Sequence, residues 1–205
     1  MSDTRIRKNE IALLKSTIGQ KLIKYRHDPF CHTPTFSIQG EVFFSNVIVQ
    51  IKCDEYPFDF FEAGTEDISA LSFRTIKEGE AVSAAIGIKQ IDFPVNEEVH
   101  DIWIVEDDIQ EFVKGKPGKT YQLTRGIVFV LEDCQLAFEK DVWLSVEIIP
   151  HKGKDVLSKF DPLGNDLGGW PKGCMSKNKR TVYSLLDGRI VSEEENESHE
   201  DPDAD

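Results

Sequence analysis

In two stretches of this chain side chains alternate in character with a period of two. In residues 42–53, Val47, Val49, Ile51 and Cys53 alternate with Ile48, Gln50 and Lys52; in 142–149, Val142, Leu144, Val146 and Ile148 alternate with Trp143, Ser145, Glu147 and Ile149. A period of two puts successive side chains on opposite faces of a sheet, so both stretches predict strands. Shorter runs at 22–26, 58–61, 70–76, 102–105, 126–131 and 134–138 predict further strands. At the start, Ile6, Ile11, Leu13 and Leu14 form an imperfect helical stripe over 4–16, which Ser16, Thr17 and Gly19 end. Near the end, Asp187-Gly188 between two apolar runs predicts a hairpin with a type I′ turn.

The pattern also reads twice. Ile18-Gly19-Gln20-Lys21-Leu22-Ile23 recurs as Ile86-Gly87-Ile88-Lys89-Gln90-Ile91. Val42-Phe43-Phe44 and the run 47–51 lie over Val128-Phe129-Val130 and the run 134–138, with polar breaks at Ser45-Asn46 and Glu132-Asp133. The expected fold is therefore mainly β: two tandem related antiparallel β units with a short N-terminal helix. The first unit takes residues 1–63, and a Gly- and charge-rich junction takes 64–83. The second takes 84–192, with an insertion at 100–118 and a Gly/Pro-rich loop at 160–180. Within the insertion, residues 114–118 read as a flexible loop by composition. If the units are related, function resides where they differ: 27–32, 100–118 and 160–173.

Charge changes the picture at the end of the chain. The formal net charge is −13, and residues 193–205 carry eight acidic side chains and no Lys or Arg, which leaves −5 for the rest. A like-charge run without apolar anchors reads as a disordered acidic tail. An acidic balance disfavours nucleic acid, because phosphate neutralisation drives such binding. The apolar runs are too short to span a membrane, and residues 1–15 are charged rather than a leader, which predicts a cytoplasmic protein without a membrane partner. Cys31, Cys53, Cys134 and Cys174 are widely spaced, as free thiols are.

Candidate chemistry is thin. His27, Asp28, Cys31 and His32 crowd one segment, but structural zinc sites use two tight pairs. Gly118-Lys119-Thr120 matches the end of a phosphate-binding loop, yet Val113 stands where its first Gly belongs. No complete phosphate-loop, dinucleotide, zinc-protease or nucleophile-elbow motif occurs, so no catalytic residue, cofactor or metal is assigned. Lys172, Lys177, Lys179 and Arg180 form the one basic cluster, read as a solvated face. Glu106, Asp107 and Asp108 read as a charged turn closing the 102–105 strand. With Trp103 as aromatic anchor they are the candidate partner-binding residues. Two functional classes follow. One is a non-enzymatic protein-binding module, of inhibitor or toxin-immunity type, whose acidic surface steers onto a basic partner. The other is an enzyme or small-ligand binder with a cleft between the two β units.

Overall fold

The computed structural model describes residues 2–27, 39–54, 70–80, 90–141, 147–164 and 174–199, which form two β-sheets and one short helix. In chain order the elements are β1 (Ser2–Thr4), α1 (Lys8–Lys15), β2 (Lys21–His27), β3 (Gln39–Phe44), β4 (Ile48–Asp54), β5 (Ala70–Ile76) and β6 (Ile91–Glu98). Then come β7 (Asp101–Val113), β8 (Lys116–Val130), β9 (Gln135–Lys140), β10 (Ile148–Gly153), a 3-10 turn (Leu157–Lys159), β11 (Cys174–Ser184) and β12 (Ile190–His199). The expected mainly-β class with a short N-terminal helix holds. The strand expected at 58–61 lies outside the described residues, as do 28–38 of the crowded His/Cys segment.

The five-stranded sheet runs β5-β4-β3-β2-β6 and the seven-stranded one β10-β9-β8-β7-β11-β12, with β1 added in parallel to β8; every other pair is antiparallel. In both sheets four strands meander, and a fifth crosses back to pair with the first. By strand order, β3 corresponds to β8 and β4 to β9. The residue overlay expected from the sequence slips, however. Phe44 N–H donates to Val47 O as Leu131 N–H donates to Cys134 O, so Phe44 matches Leu131 and Val42 matches Phe129, not Val128. Burial agrees: Val42 and Phe44 face the core between the sheets as Phe129 and Leu131 do, whereas Val128 packs in a cluster on the other face of its sheet. A shift of one residue exchanges faces. The repeated Ile-Gly motif also fails as a marker, since it precedes β2 and β6, while the counterpart of β2 by order is β7.

Between the sheets, Leu22, Val42, Phe44, Val49 and Ile51 meet Ile102, Ile104, Ile127, Phe129, Leu136 and Phe138. Phe138 is edge-on to both Tyr25 and Phe129, with centroids 5.6 and 6.2 Å away, contacts worth roughly 0.5–1.5 kcal/mol each beyond area burial. The expected junction at 64–83 does not separate two units. Its strand, β5, pairs with β4, and β6 from beyond it pairs with β2, so the five-stranded sheet closes only with residues from both sides. The N-terminal segment ties the sheets together. Ile6 N–H donates to Thr124 Oγ1 of β8 at 3.0 Å, while the buried Glu10 of α1 accepts from Arg7 N–H and, at 3.0 Å, from Phe73 N–H of β5. Glu10 thus completes half of a capping box and satisfies a sheet-edge donor with the same carboxylate.

The insertion expected at 100–118 is the long β7–β8 hairpin. Its tip is no flexible loop: Lys114 and Gly115 have φ of 50° and 74°, the two positive angles of a type I′ turn. By contrast Asp187-Gly188 is not such a turn. Gly188 alone is positive there, and four residues separate Ser184 from Arg189, whose backbones bond at 2.9 Å.

The acidic tail also differs from expectation. Residues 193–199 are strand, in register with β11 from Thr181↔Glu193 to Met175↔His199; 200–205 lie outside the described residues. The run is held by its backbone ladder with β11 rather than by apolar burial, and opposite charges face each other across it: Lys177 Nζ lies 2.9 Å from Glu197, and Lys179 Nζ 2.7 Å from Glu193. Deleting 193–205 is therefore expected to lower the melting temperature by at least about 4 °C, because it strips β11 of a ladder partner. Circular-dichroism melts would show an unchanged midpoint if the run contributed nothing.

On the outside of the five-stranded sheet, Arg26 and Lys24 both bond the Asp92 carboxylate across the β2–β6 pair. The Arg26 hydrogen bond is the main reason Asp92 is held down to about 2, against an ordinary 3.8. A folded-state pKa below the unfolded one means that Asp92 contributes stability above about pH 4, lost as pH falls from there toward 2. Carboxyl NMR titration should put its midpoint near 2, and Arg26→Gln should move it back toward 3.8. An Asp92 midpoint unaffected by that substitution would refute the assignment.

Candidate functional site

Past the point where the five-stranded sheet packs against them, β7, β8, β11 and β12 continue as a ladder with two unlike faces. The β7–β11 register is unbroken from Trp103↔Ser184 to Val113↔Cys174, so parity assigns every side chain. Ile102 and Ile104 face the core; Glu106, Asp108 and Gln110 continue that inner face. Trp103, Val105 and Asp107 belong to the outer one.

On the outer face, charge is buried under the segment 154–164. Arg180 and Asp107 are register partners, and Nε and Nη2 of Arg180 each donate to Asp107 at 2.7 Å. Arg180 Nη1 donates to Asp161 O at 2.9 Å, and Asp161 N–H donates to Glu139 Oε1 at 2.8 Å. Arg125, fully buried, sits where the β7–β8 register skips a residue between Val105 and Glu106, and such a bulge re-aims a side chain. It reaches Glu139 and Asp161 at 3.2 Å each, and His151 Nε2 lies 2.7 Å from Glu139 Oε2. Phe160 closes the site over Gly126, where a Cβ would stand 2.7 Å from Phe138 O and 2.9 Å from the Phe160 ring. Each charge here has a partner of opposite sign, and Glu139 is only 1% exposed. The arrangement holds segment 154–164 on the sheet and buries Glu139, while His151 stays part-exposed at its rim.

The inner face is open. A groove of about 610 Å³ runs over it, lined among others by Asp108, Gln110, Thr120, Lys177, Lys179 and Glu195. Parity adds Glu106 and Glu193 on the same side and Glu197 beside Lys177. Both lysines are paired to β12 glutamates, Lys179 to Glu193 and, at 3.4 Å, Glu195. With Asp3 and its partner Arg5, which also stands near Glu106 and Asp108, six carboxylates against three cations make the face acidic, and Glu195 is 73% exposed. Glu106 accepts from Tyr183 OH at 3.0 Å; burial raises both groups above their usual values, that of Tyr183 further because Glu106 stands beside it.

The sequence-derived site is thus divided. Glu106 and Asp108 do share the inner face. Trp103 lies on the opposite one, where Nε1 donates to Asp101 Oδ2 at 3.0 Å and the ring packs with Val105 and Val128, so it cannot anchor the same interface. Asp107 is no exposed charge but the buried partner of Arg180, and 106–108 are mid-strand rather than a turn. Arg180 likewise leaves the expected basic surface cluster, Lys177 and Lys179 are neutralised by β12, and Lys172 lies outside the described residues. Sequence reasoning missed Arg125, Glu139, His151 and Asp161. It had one usable signal, charged residues at apolar-parity positions inside strands. The expected cleft between units meets the apolar core instead, and among the described residues no group of His, Cys, Asp and Glu could hold a metal. His27 is buried against Phe93, rings 5.0 Å apart and nearly parallel.

No family model, curated protein or solved structure matches the chain. No helix among the described residues is long and apolar enough to cross a membrane.

Replacing Asp107 by Ala strands a buried guanidinium and should cost about 3–5 kcal/mol in urea unfolding. The double change Asp107→Leu with Arg180→Met should recover most of that loss. A single variant within about 1 kcal/mol of the parent would show the pair to be solvated.

Proposed function

We propose that this chain is a non-catalytic protein-binding module whose inner-face acidic ladder docks a basic surface of a protein partner, as an inhibitor or immunity-type protein does. The observation that carries the reading is the division of charge on the ladder. The cations of the inner face are spent on neighbouring carboxylates, Lys177 and Lys179 on β12 and Arg5 on Asp3, while Glu195 remains 73% exposed above a groove. A surface so charged speeds encounter with a basic partner and repels acidic ones. The buried network supports the same reading from behind, because it fixes β11 against β7 and so fixes the spacing of the exposed charges. Catalysis finds less support: Glu139 is buried and already bonded to His151, Arg125 and the Asp161 N–H.

Stopped-flow association with a panel of folded basic proteins, nucleases included, tests this. The association rate of a true partner should fall by about ten-fold or more as salt rises from about 0.05 to about 0.5 M. Joint replacement of Glu193, Glu195 and Glu197 by Gln should lower the association rate more than it raises dissociation. Binding that ignores both salt and the triple replacement, or a panel with no binder, would overturn the proposal.

A further inference from the structure

Besides the three-residue β1, four strands end the two sheets: β5, β6, β10 and β12. An unprotected edge is a row of backbone donors and acceptors that templates another strand, and proteins blunt such rows. Three of the four are blunted. On β5, Phe73 N–H is taken by Glu10 of α1. On β6, Pro94 has no N–H to offer, and Asn96, with φ of 62°, breaks the extended run. On β10, Pro150 again removes a donor, and the Lys152 carbonyl accepts from Lys159 Nζ at 2.7 Å. Along residues 190–196 of β12, by contrast, there is no Pro, no positive φ and, among the described residues, no side chain bonded to the backbone.

Leu163 and Gly164 accept from the Asn196 and Ser198 side chains, on the outer face. Among the described residues the guard along the edge itself is charge, and charge selects. Two β12 strands paired edge to edge would set Glu against Glu, so a second copy of this chain is repelled. A strand of opposite charge is not, and β11 shows the fit. It lies antiparallel to β12 with lysines at alternate positions, Lys177 and Lys179, which reach Glu197 and Glu193 at 2.9 and 2.7 Å. We infer that β12 is a docking edge for an extended basic segment of the partner, which adds to the seven-stranded sheet as a further strand. That segment repeats the β11 pattern on the free side, Lys or Arg at every second position facing Glu193, Glu195 and Glu197. Main-chain hydrogen bonds supply affinity in this mode, and the alternating cations supply selectivity. The inference rests on the acidic-ladder reading and narrows its partner from a basic surface to a basic strand.

The test uses the full chain and a fluorescein-labelled peptide of about twelve residues alternating Lys and Thr, read by anisotropy. Two further peptides carry N-methyl groups on every Lys or on every Thr. In a strand the N–H groups of alternate residues point to one edge, so the two sets block opposite edges. One methylated series should bind about ten-fold or more weaker than the parent peptide and the other within about two-fold. Glu193→Gln with Glu195→Gln and Glu197→Gln should weaken the parent peptide by a similar factor. If both series bind as the parent does, with binding still salt-sensitive, strand addition is wrong and the acidic-ladder reading survives. If no peptide binds while a folded basic protein does, the extended partner is wrong. If neither binds, both proposals fall.

Discussion

Arg180 stands in the middle of β11 with Asp107 directly across on β7, and almost everything on the outer face of the larger sheet is arranged around that pair. Its worth is not mainly net stability, since taking two charges out of water offsets most of their attraction. It makes one register far better than its neighbours. A slip of β11 by one residue would turn Arg180 to the inner face and leave the Asp107 carboxylate buried without its guanidinium. The same guanidinium holds Asp161 O, Glu139 holds Asp161 N–H, and Phe160 drops over Gly126, so segment 154–164 is seated by the groups it covers. Because inner and outer side chains alternate on shared strands, fixing the buried face also sets where Glu106, Asp108, Lys177 and Lys179 stand on the open one.

Backbone accounting explains the rest of the architecture. Long strands overhanging a shorter sheet expose edges, and the molecule closes them with single side chains rather than whole elements: Glu10 on β5, Lys159 on β10, and prolines on β6 and β10. Thr124 does comparable work in the other direction by accepting Ile6 N–H, which joins the N-terminal segment to β8 before α1 crosses to β5. The sheets are therefore bound together by a core and by two polar links at their margin; residues 21–98 supply the smaller sheet and 101–199 the larger, to which only β1 is added from the other half of the chain.

Much of this was legible. Period-two alternation marks β4, where one face is apolar, short apolar runs mark β2, β3, β5, β8 and β9, and the stripe at Ile11 and Leu14 marks α1. Alternation stops being informative where a strand buries charge. Glu106-Asp107-Asp108 looks like a turn because hydrophobicity cannot register that Asp107 has a guanidinium opposite, 73 residues away. The run from Glu193 looks unfolded for the same reason: its partners, Lys177 and Lys179, are invisible to local composition. The residue overlay expected from the sequence fails because Phe43 and Val130, on the faces turned away from the core, are as apolar as their inward neighbours and hide the one-residue offset. Lys114-Gly115 was missed because Lys rarely takes φ near 50°, so composition gave no sign of a two-residue turn.

Where a molecule keeps its titratable groups is itself informative about what it can do. Of the groups fit for proton transfer, Glu139 is buried against Arg125, and His151 and Asp161 stand at its rim, each already bonded to a neighbour. The groups left open are carboxylates on rigid strands, spaced by the strand repeat of roughly 6.8 Å between alternate residues. Such spacing reads poorly as a cage for a small molecule, whose polar contacts must converge, and well as a match to another extended backbone with the same repeat. The geometry of the open face, more than its charge alone, therefore favours a strand as the object it meets.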